Sequence, residues 1–115
     1  MKVVAYLRVS TDNQQESGLG LSDQEQKIIG YCKLYDLELV KIIKEAASGR
    51  SLDRPGLQEA LNMLEKGEAE GLIVAKLDRL TRSVRDMGIL LDKYFATKYA
   101  FFVVTEKIDT FSASG

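Results

Sequence analysis

VVAYLRVST, residues 3–11, runs from β-branched and aromatic residues into a hydroxyl-rich turn and sets an arginine at 8 and a serine at 10. The apolar part, VVAYL (3–7), has the length and composition of a buried strand. Strand side chains alternate between faces, so Arg8 and Ser10 point one way and Val9 the other. A guanidinium and a hydroxyl therefore share one surface where the strand runs into a loop.

Three further runs, LVKII (39–43), GLIVA (71–75) and AFFVV (100–104), read as strands of the same kind. Helical spacing lies between them. Ile28, Cys32 and Tyr35 make one apolar stripe, and Leu57, Ala60, Leu61 and Leu64 make a second. A third comprises Leu80, Val84, Met87 and Leu91, with Leu90 and Tyr94 beside it. Pro55 suits the first turn of the second helix and Gly67 its C-terminal cap. Alternation of strand and helix with near-continuous apolar strands predicts an α/β fold. It is a mainly parallel, open β-sheet with helices packed on both faces, in one domain over residues 1–115. Ligands bind at the C-terminal edge of such a sheet. That rule places the loop after Ser10, the segment ASGRSLDR (47–54) and AKLDR (75–79) on one rim. The tail TFSASG (110–115) is small and polar and is expected to fray.

Composition narrows the chemistry. Hydrophobic residues at 45% and charged residues at 29% exclude wholesale disorder and fibrous classes. No apolar run approaches the roughly 20 residues of a membrane span, and no basic stretch precedes a long apolar one at the N-terminus, so a cytoplasmic protein is expected. One cysteine, Cys32, permits no internal disulfide, and with no histidine in the chain little is left for a zinc site. The missing histidine also excludes a Ser-His-Asp triad, leaving Ser, Asp, Glu, Lys, Arg or Tyr to act. A net charge of −1 gives no support by itself to nucleic-acid binding.

Charge is concentrated locally instead. KLDRLTRSVRD (76–86) carries Lys76, Arg79, Arg82 and Arg85 against Asp78 and Asp86. With a helix starting near Asp78, the arginines at 79, 82 and 85 would form one row, and Asp78 could cap the helix or pair with Arg82. A serine hydroxyl, Arg8 beside it and a second group of arginines suit a phosphodiester, because forked guanidiniums match the non-bridging oxygens of a phosphate under attack. A bland reading competes on these residues alone: Ser10 as a turn hydroxyl, and the arginines as a solvated helix face paired with Asp78 and Asp86. No Gly-rich nucleotide-binding loop of the G-x-x-x-x-G-K-[ST] type is present.

YLRVSTDNQ (6–14), SGRSLDRPGL (48–57) and KLDRLTRS (76–83), in this order, resemble the catalytic domain of the serine recombinases, the family of resolvases, invertases and serine integrases. The resemblance covers nearly the whole chain. It implies site-specific DNA recombination in which Ser10 becomes linked to a DNA 5′-phosphate and leaves a free 3′-hydroxyl. Arg8, Arg79 and Arg82 fall on the family's active-site arginines and Asp78 on their acidic partner. Arg54 matches a further arginine, and Gln14, Gln24, Ser48 and Asp53 match supporting polar positions. The family uses no metal or nucleotide cofactor. The ESGLGLSDQ segment (16–24) makes the loop after Ser10 longer than in the shortest resolvases, and looks more like that of integrase-type proteins. The family continues into a long dimerisation helix and a separate DNA-binding domain, absent from these 115 residues. The resemblance thus implies DNA as partner and a dimer or tetramer for the full-length protein, with residues 1–115 alone a monomer or weak dimer that does not recombine. Other classes on the same architecture are a phosphate-binding regulatory domain and a protein-interaction module.

Overall fold

Strand β1, Lys2–Val9, occupies the interior of the sheet because Val3 to Leu7 are apolar on both faces and every one of them is fully buried. In the computed structural model, which describes residues 1–9, 20–46, 54–81, 83–96, 98–104 and 108–109, it is flanked by β2 (Glu38–Ala46) and β3 (Gly71–Val74). Beyond β3 lie β4 (Ala100–Val103) and the short β5 (Ile108–Asp109), giving the order β2-β1-β3-β4-β5. The first four strands are parallel, as their unbroken apolar character predicts, and β5 pairs antiparallel with β4. β5 was not foreseen, since two residues carry no readable period.

Alternation along the strands builds two cores. Val4, Tyr6, Leu72, Val74, Phe101 and Val103 pack against α2 (Pro55–Glu65) and against Leu90, Tyr94 and Phe95 farther along the chain. Val3, Ala5, Leu7, Ile73 and Phe102 face α1 (Leu21–Leu34) through Ile28 and Cys32. Helices thus cover both faces, as expected. Pro55 stands at the first position of α2, and Gly67 follows that helix in the left-handed region at φ 79°. The segment after Ser10 ends sooner than expected, with Leu21 and Ser22 already in α1. Tyr35 does not continue the α1 stripe: the helix stops at Leu34, Asp36 turns at φ 57°, and the Tyr35 ring rests on Tyr31.

The third apolar stripe is also broken. A single turn, α3 (Leu77–Leu80), ends at Thr81, whose backbone is extended, and α4 (Val84–Leu90) starts afresh with the Ser83 hydroxyl accepting from Asp86 N–H at 3.1 Å. Leu80 is therefore buried while Val84 is 90% exposed. A π-helical turn, Leu91–Phe95, continues α4 and turns both Tyr94 and Phe95 inward. The interruption also removes the continuous helix on which positions 79, 82 and 85 would have formed one row. Asp78 lies inside α3, whose N-cap is Lys76.

Gly71, the first residue of β3, lies so near β4 that an added Cβ would sit 3.0 Å from Ala100 Cβ and 3.1 Å from its carbonyl oxygen. Gly71→Ala is expected to lower stability by about 1–3 kcal/mol through overpacking, read as a drop in the urea midpoint with an unchanged slope.

Candidate active site at the ends of the first and third strands

The strand order reverses direction at β1: the chain moves to one side to build β2 and to the other to build β3. A crevice opens at such a switch point, beyond the carboxyl ends of the two strands concerned. β1 delivers Arg8 there, and β3 leads through Lys76 into α3, which carries Asp78 and Arg79.

β1 runs farther than its neighbour. Its pairing with β3 extends from Val3↔Gly71 to Ala5↔Ile73, whereas its pairing with β2 continues to Val9↔Ala46. The last residues of β1 thus lose a partner on the β3 side while remaining buried, a costly condition for backbone amides. Gln24 resolves it. Its Oε1 accepts from Arg8 N–H at 3.3 Å, and its Nε2–H donates to the Arg8 carbonyl at 3.0 Å. A carboxamide offers the same donor and acceptor pair as a peptide group, so Gln24, fully buried on α1, replaces one residue of the missing strand. Arg8 itself is fully buried, and alternation sets its side chain on the Val4 and Tyr6 face of the sheet.

A second polar group joins three elements. The Tyr6 hydroxyl donates to Glu45 Oε1 at 2.5 Å and accepts from Arg54 Nη1–H at 2.9 Å. The Arg54 guanidinium lies 5.6 Å from the centroid of the Tyr6 ring, and its Nη2–H donates to the Leu80 carbonyl. Burial chiefly, then the hydrogen bond to Glu45, pushes the Tyr6 phenol well above its ordinary range, against the opposing pull of Arg54. Tyr6 therefore stays a neutral donor, unsuited to act as a base near neutrality. The carboxyl ends of the parallel strands β1, β2 and β3 lie along one edge of the sheet, while residues 10–19 and 47–53, expected on the same rim, lie outside the described residues.

Residues 3–115 match the family described as the resolvase N-terminal domain. This chain is a member of the resolvase family. It is 35% identical over 113 residues to a DNA-invertase of Escherichia phage P1, and 34% identical over 117 residues to the serine recombinase gin of Escherichia phage Mu. Each alignment covers 98% of this chain, but only 54% and 52% of the relative, so the chain spans about half the length of these proteins. Among solved structures it is similar to the N-terminal catalytic domain of TP901-1 integrase, with a TM-score of 0.89 and 38% identity, covering all of this chain and 86% of that one. A resolvase family site-specific recombinase from Streptococcus pneumoniae gives a TM-score of 0.71 at 25% identity, over 96% of this chain and 76% of that one.

Of the resolvase residues singled out from sequence, Arg8, Gln24 and Arg54 are placed with their side chains, and all three are buried at the switch point. Asp78 and Arg79 are placed by backbone in α3. Ser10, Gln14, Ser48, Asp53 and Arg82 lie outside the described residues. Glu45 was missed. No periodicity marks it, because its importance comes from a tyrosine 39 positions away. The role of Gln24 did have a signal: it stands at i−4 and i−8 from Ile28 and Cys32, a polar residue on a buried stripe.

The clamp on Arg8 can be tested in the resolvase domain alone. Gln24→Leu leaves a buried N–H and C=O unpaired and should cost about 2–5 kcal/mol in urea unfolding. Gln24→Glu should behave differently with pH. A protonated carboxyl supplies one donor and one acceptor like the amide, so the fold raises its pKa. The variant should approach wild-type stability in acid and lose it as pH rises through and above the ordinary glutamate range near ~4.3.

Tyr6 predicts an alkaline limit. Its folded pKa is raised, so its contribution to stability is intact below the ordinary tyrosine value of about 10 and is lost as pH climbs above that. Tyr94, also raised by burial and its bond to Glu65, acts in the same direction. Tyr6→Phe should flatten part of the fall in denaturation midpoint above pH ~10.

Proposed function

We propose that this chain is the catalytic domain of a serine site-specific recombinase, which cuts DNA through a covalent phosphoserine and rejoins the strand to a new partner. The observation that carries this reading is the family match over residues 3–115, together with a fold that superimposes on an integrase catalytic domain along its whole length. Supporting it, the described parts of the three motif segments meet through Tyr6, Arg54 and Leu80 near the sheet edge where α/β folds bind ligands.

In this reading Ser10, the residue immediately after β1, attacks the phosphorus of a DNA phosphodiester. An Oγ–P bond forms, the bond from phosphorus to the 3′-oxygen breaks, and the proton lost by the serine ends on the departing 3′-hydroxyl. The phosphodiester is conserved as a serine ester, so reversal by another strand's 3′-hydroxyl needs no outside energy. Arg8, Arg79 and Arg82 stabilise the charge developing on the phosphate, and Asp78 orients them. Gln24 holds the backbone from which Arg8 projects; Gln14, Ser48, Asp53 and Arg54 support the rim. Arg8 is fully buried, so its contact with a phosphate requires the rim around it to open as DNA binds. Residues 1–115 form a single catalytic unit, followed in the full-length protein by a dimerisation helix and a DNA-binding domain, and that protein works on DNA as a dimer or tetramer in the cytoplasm. Among the described residues no helix is long and apolar enough to cross a membrane.

The test uses the domain extended past Gly115 through a dimerisation helix and DNA-binding domain, given a nicked suicide site. Wild type is expected to form a covalent protein–DNA adduct that is absent with Ser10→Ala. If wild type binds the site and forms no adduct, under conditions where an established recombinase does, the reading is overturned in favour of a phosphate-binding regulatory domain.

A further inference from the structure

Arg54 matches a family arginine, which invites a direct role at the phosphate, yet its surroundings argue otherwise. It is 3% exposed. One terminal nitrogen donates to the Tyr6 hydroxyl at 2.9 Å and the other to the Leu80 carbonyl, and the guanidinium lies against the Tyr6 ring. These contacts join three separate pieces of chain. Tyr6 is on β1, two residues before Arg8; Arg54 is the N-cap of α2; Leu80 closes α3, the turn that carries Asp78 and Arg79.

Glu45 anchors the other end. Oε1 accepts from Tyr6 O–H at 2.5 Å, and Oε2 accepts from Gly56 N–H at 2.7 Å in the first turn of α2. Arg54 supplies no side-chain cap to its own helix, so the carboxylate of Glu45 satisfies a first-turn donor there and meets the positive end of the helix dipole. The site is fitted closely to this carboxylate: a Cβ on Gly56 would lie 3.0 Å from Glu45 Cδ and Oε1 and 3.1 Å from Oε2.

We propose that Glu45, Tyr6 and Arg54 form a strut that sets the position of α3 relative to the end of β1, so that all three are positioning residues and Arg54 is not a ligand of the scissile phosphate. This rests on the recombinase reading for what the positioned groups do, and on the geometry alone for the strut. Because α3 is one turn long and is followed by an extended Thr81, it has little helical cohesion of its own. Its last carbonyl is held from outside by Arg54, and a displacement of about 1 Å at an active site can cost on the order of a hundredfold in rate.

Two readouts test the proposal. The first needs no activity: in residues 1–115, amide chemical shifts and hydrogen exchange are compared for wild type, Tyr6→Phe, Glu45→Gln and Gly56→Ala. The strut predicts that each change, though made on β1, β2 or α2, shifts the amides of 79–81 and speeds their exchange. Changes confined to the neighbourhood of the substitution would overturn it. The second reads adduct formation by the extended protein on DNA bearing either a natural phosphate or an uncharged methylphosphonate at the cleaved position. An arginine that neutralises the phosphate becomes less necessary when the charge is gone. Arg54→Gln is therefore expected to lose the same factor, about tenfold or more for a hydrogen bond to a charged group, on both substrates. Arg8→Gln, by contrast, should lose less on the methylphosphonate. Recovery of Arg54→Gln on the uncharged substrate would overturn the positioning role. If wild type cleaves neither substrate, the recombinase reading fails, and the amide measurements still decide whether the strut exists.

Discussion

The central strand outlasts its neighbour, and the rest of the site follows from that mismatch. β1 pairs with β2 to its last residue but has parted from β3 after Ala5. A buried strand end with one side unpaired is unstable unless something satisfies its amides. Gln24 does so from α1, and in doing so it fixes the main chain at Arg8 against a second element. The same parting of β1 and β3 falls at the switch point of the sheet, the place at which such folds bind ligands. Candidate site and rigid support thus share one strand end.

The polar residues around this strand end divide by what they hold. Gln24 holds a backbone; Glu45 holds a helix start and a phenol; Arg54 holds a phenol and a helix end. Each connects elements distant in sequence. Burial strengthens these bonds and makes their loss costly, since a partner left alone in a low-dielectric interior keeps its full desolvation penalty. Arg8 and Arg54 are buried beside the strand ends, whereas lysines such as Lys27, Lys33, Lys66 and Lys98 are exposed, so the buried guanidiniums stand apart from the solvated surface charge.

Broken helicity after β3 has a parallel logic. A continuous helix from 78 onward would carry its arginines in one straight row. The extended residues at Thr81 and Ser83 instead let the chain change direction between α3 and α4, each short helix docking separately. The Ser83 cap starts the second helix locally, while the end of the first depends on Arg54 from across the rim.

Much of the architecture was determined by the sequence itself. Apolar runs too continuous for a one-faced sheet require a parallel one covered on both sides, and Pro55, Gly67 and the α2 stripe are local signals that act where they stand. The three motifs likewise identify the family and bring Arg8, Ser10, Asp78, Arg79 and Arg82 into consideration. Only the tertiary structure decided how the supporting residues are used. Tyr35 and Val84 carry apolar character at helical spacing and yet are exposed, because their helices end or begin beside them. Glu45 looks like one more charge on an edge strand until α2 folds over it and Tyr6 turns toward it. Periodicity reports what a residue's own element wants to bury, whereas a hydrogen bond across 39 or 48 residues exists only once the sheet has brought its ends together.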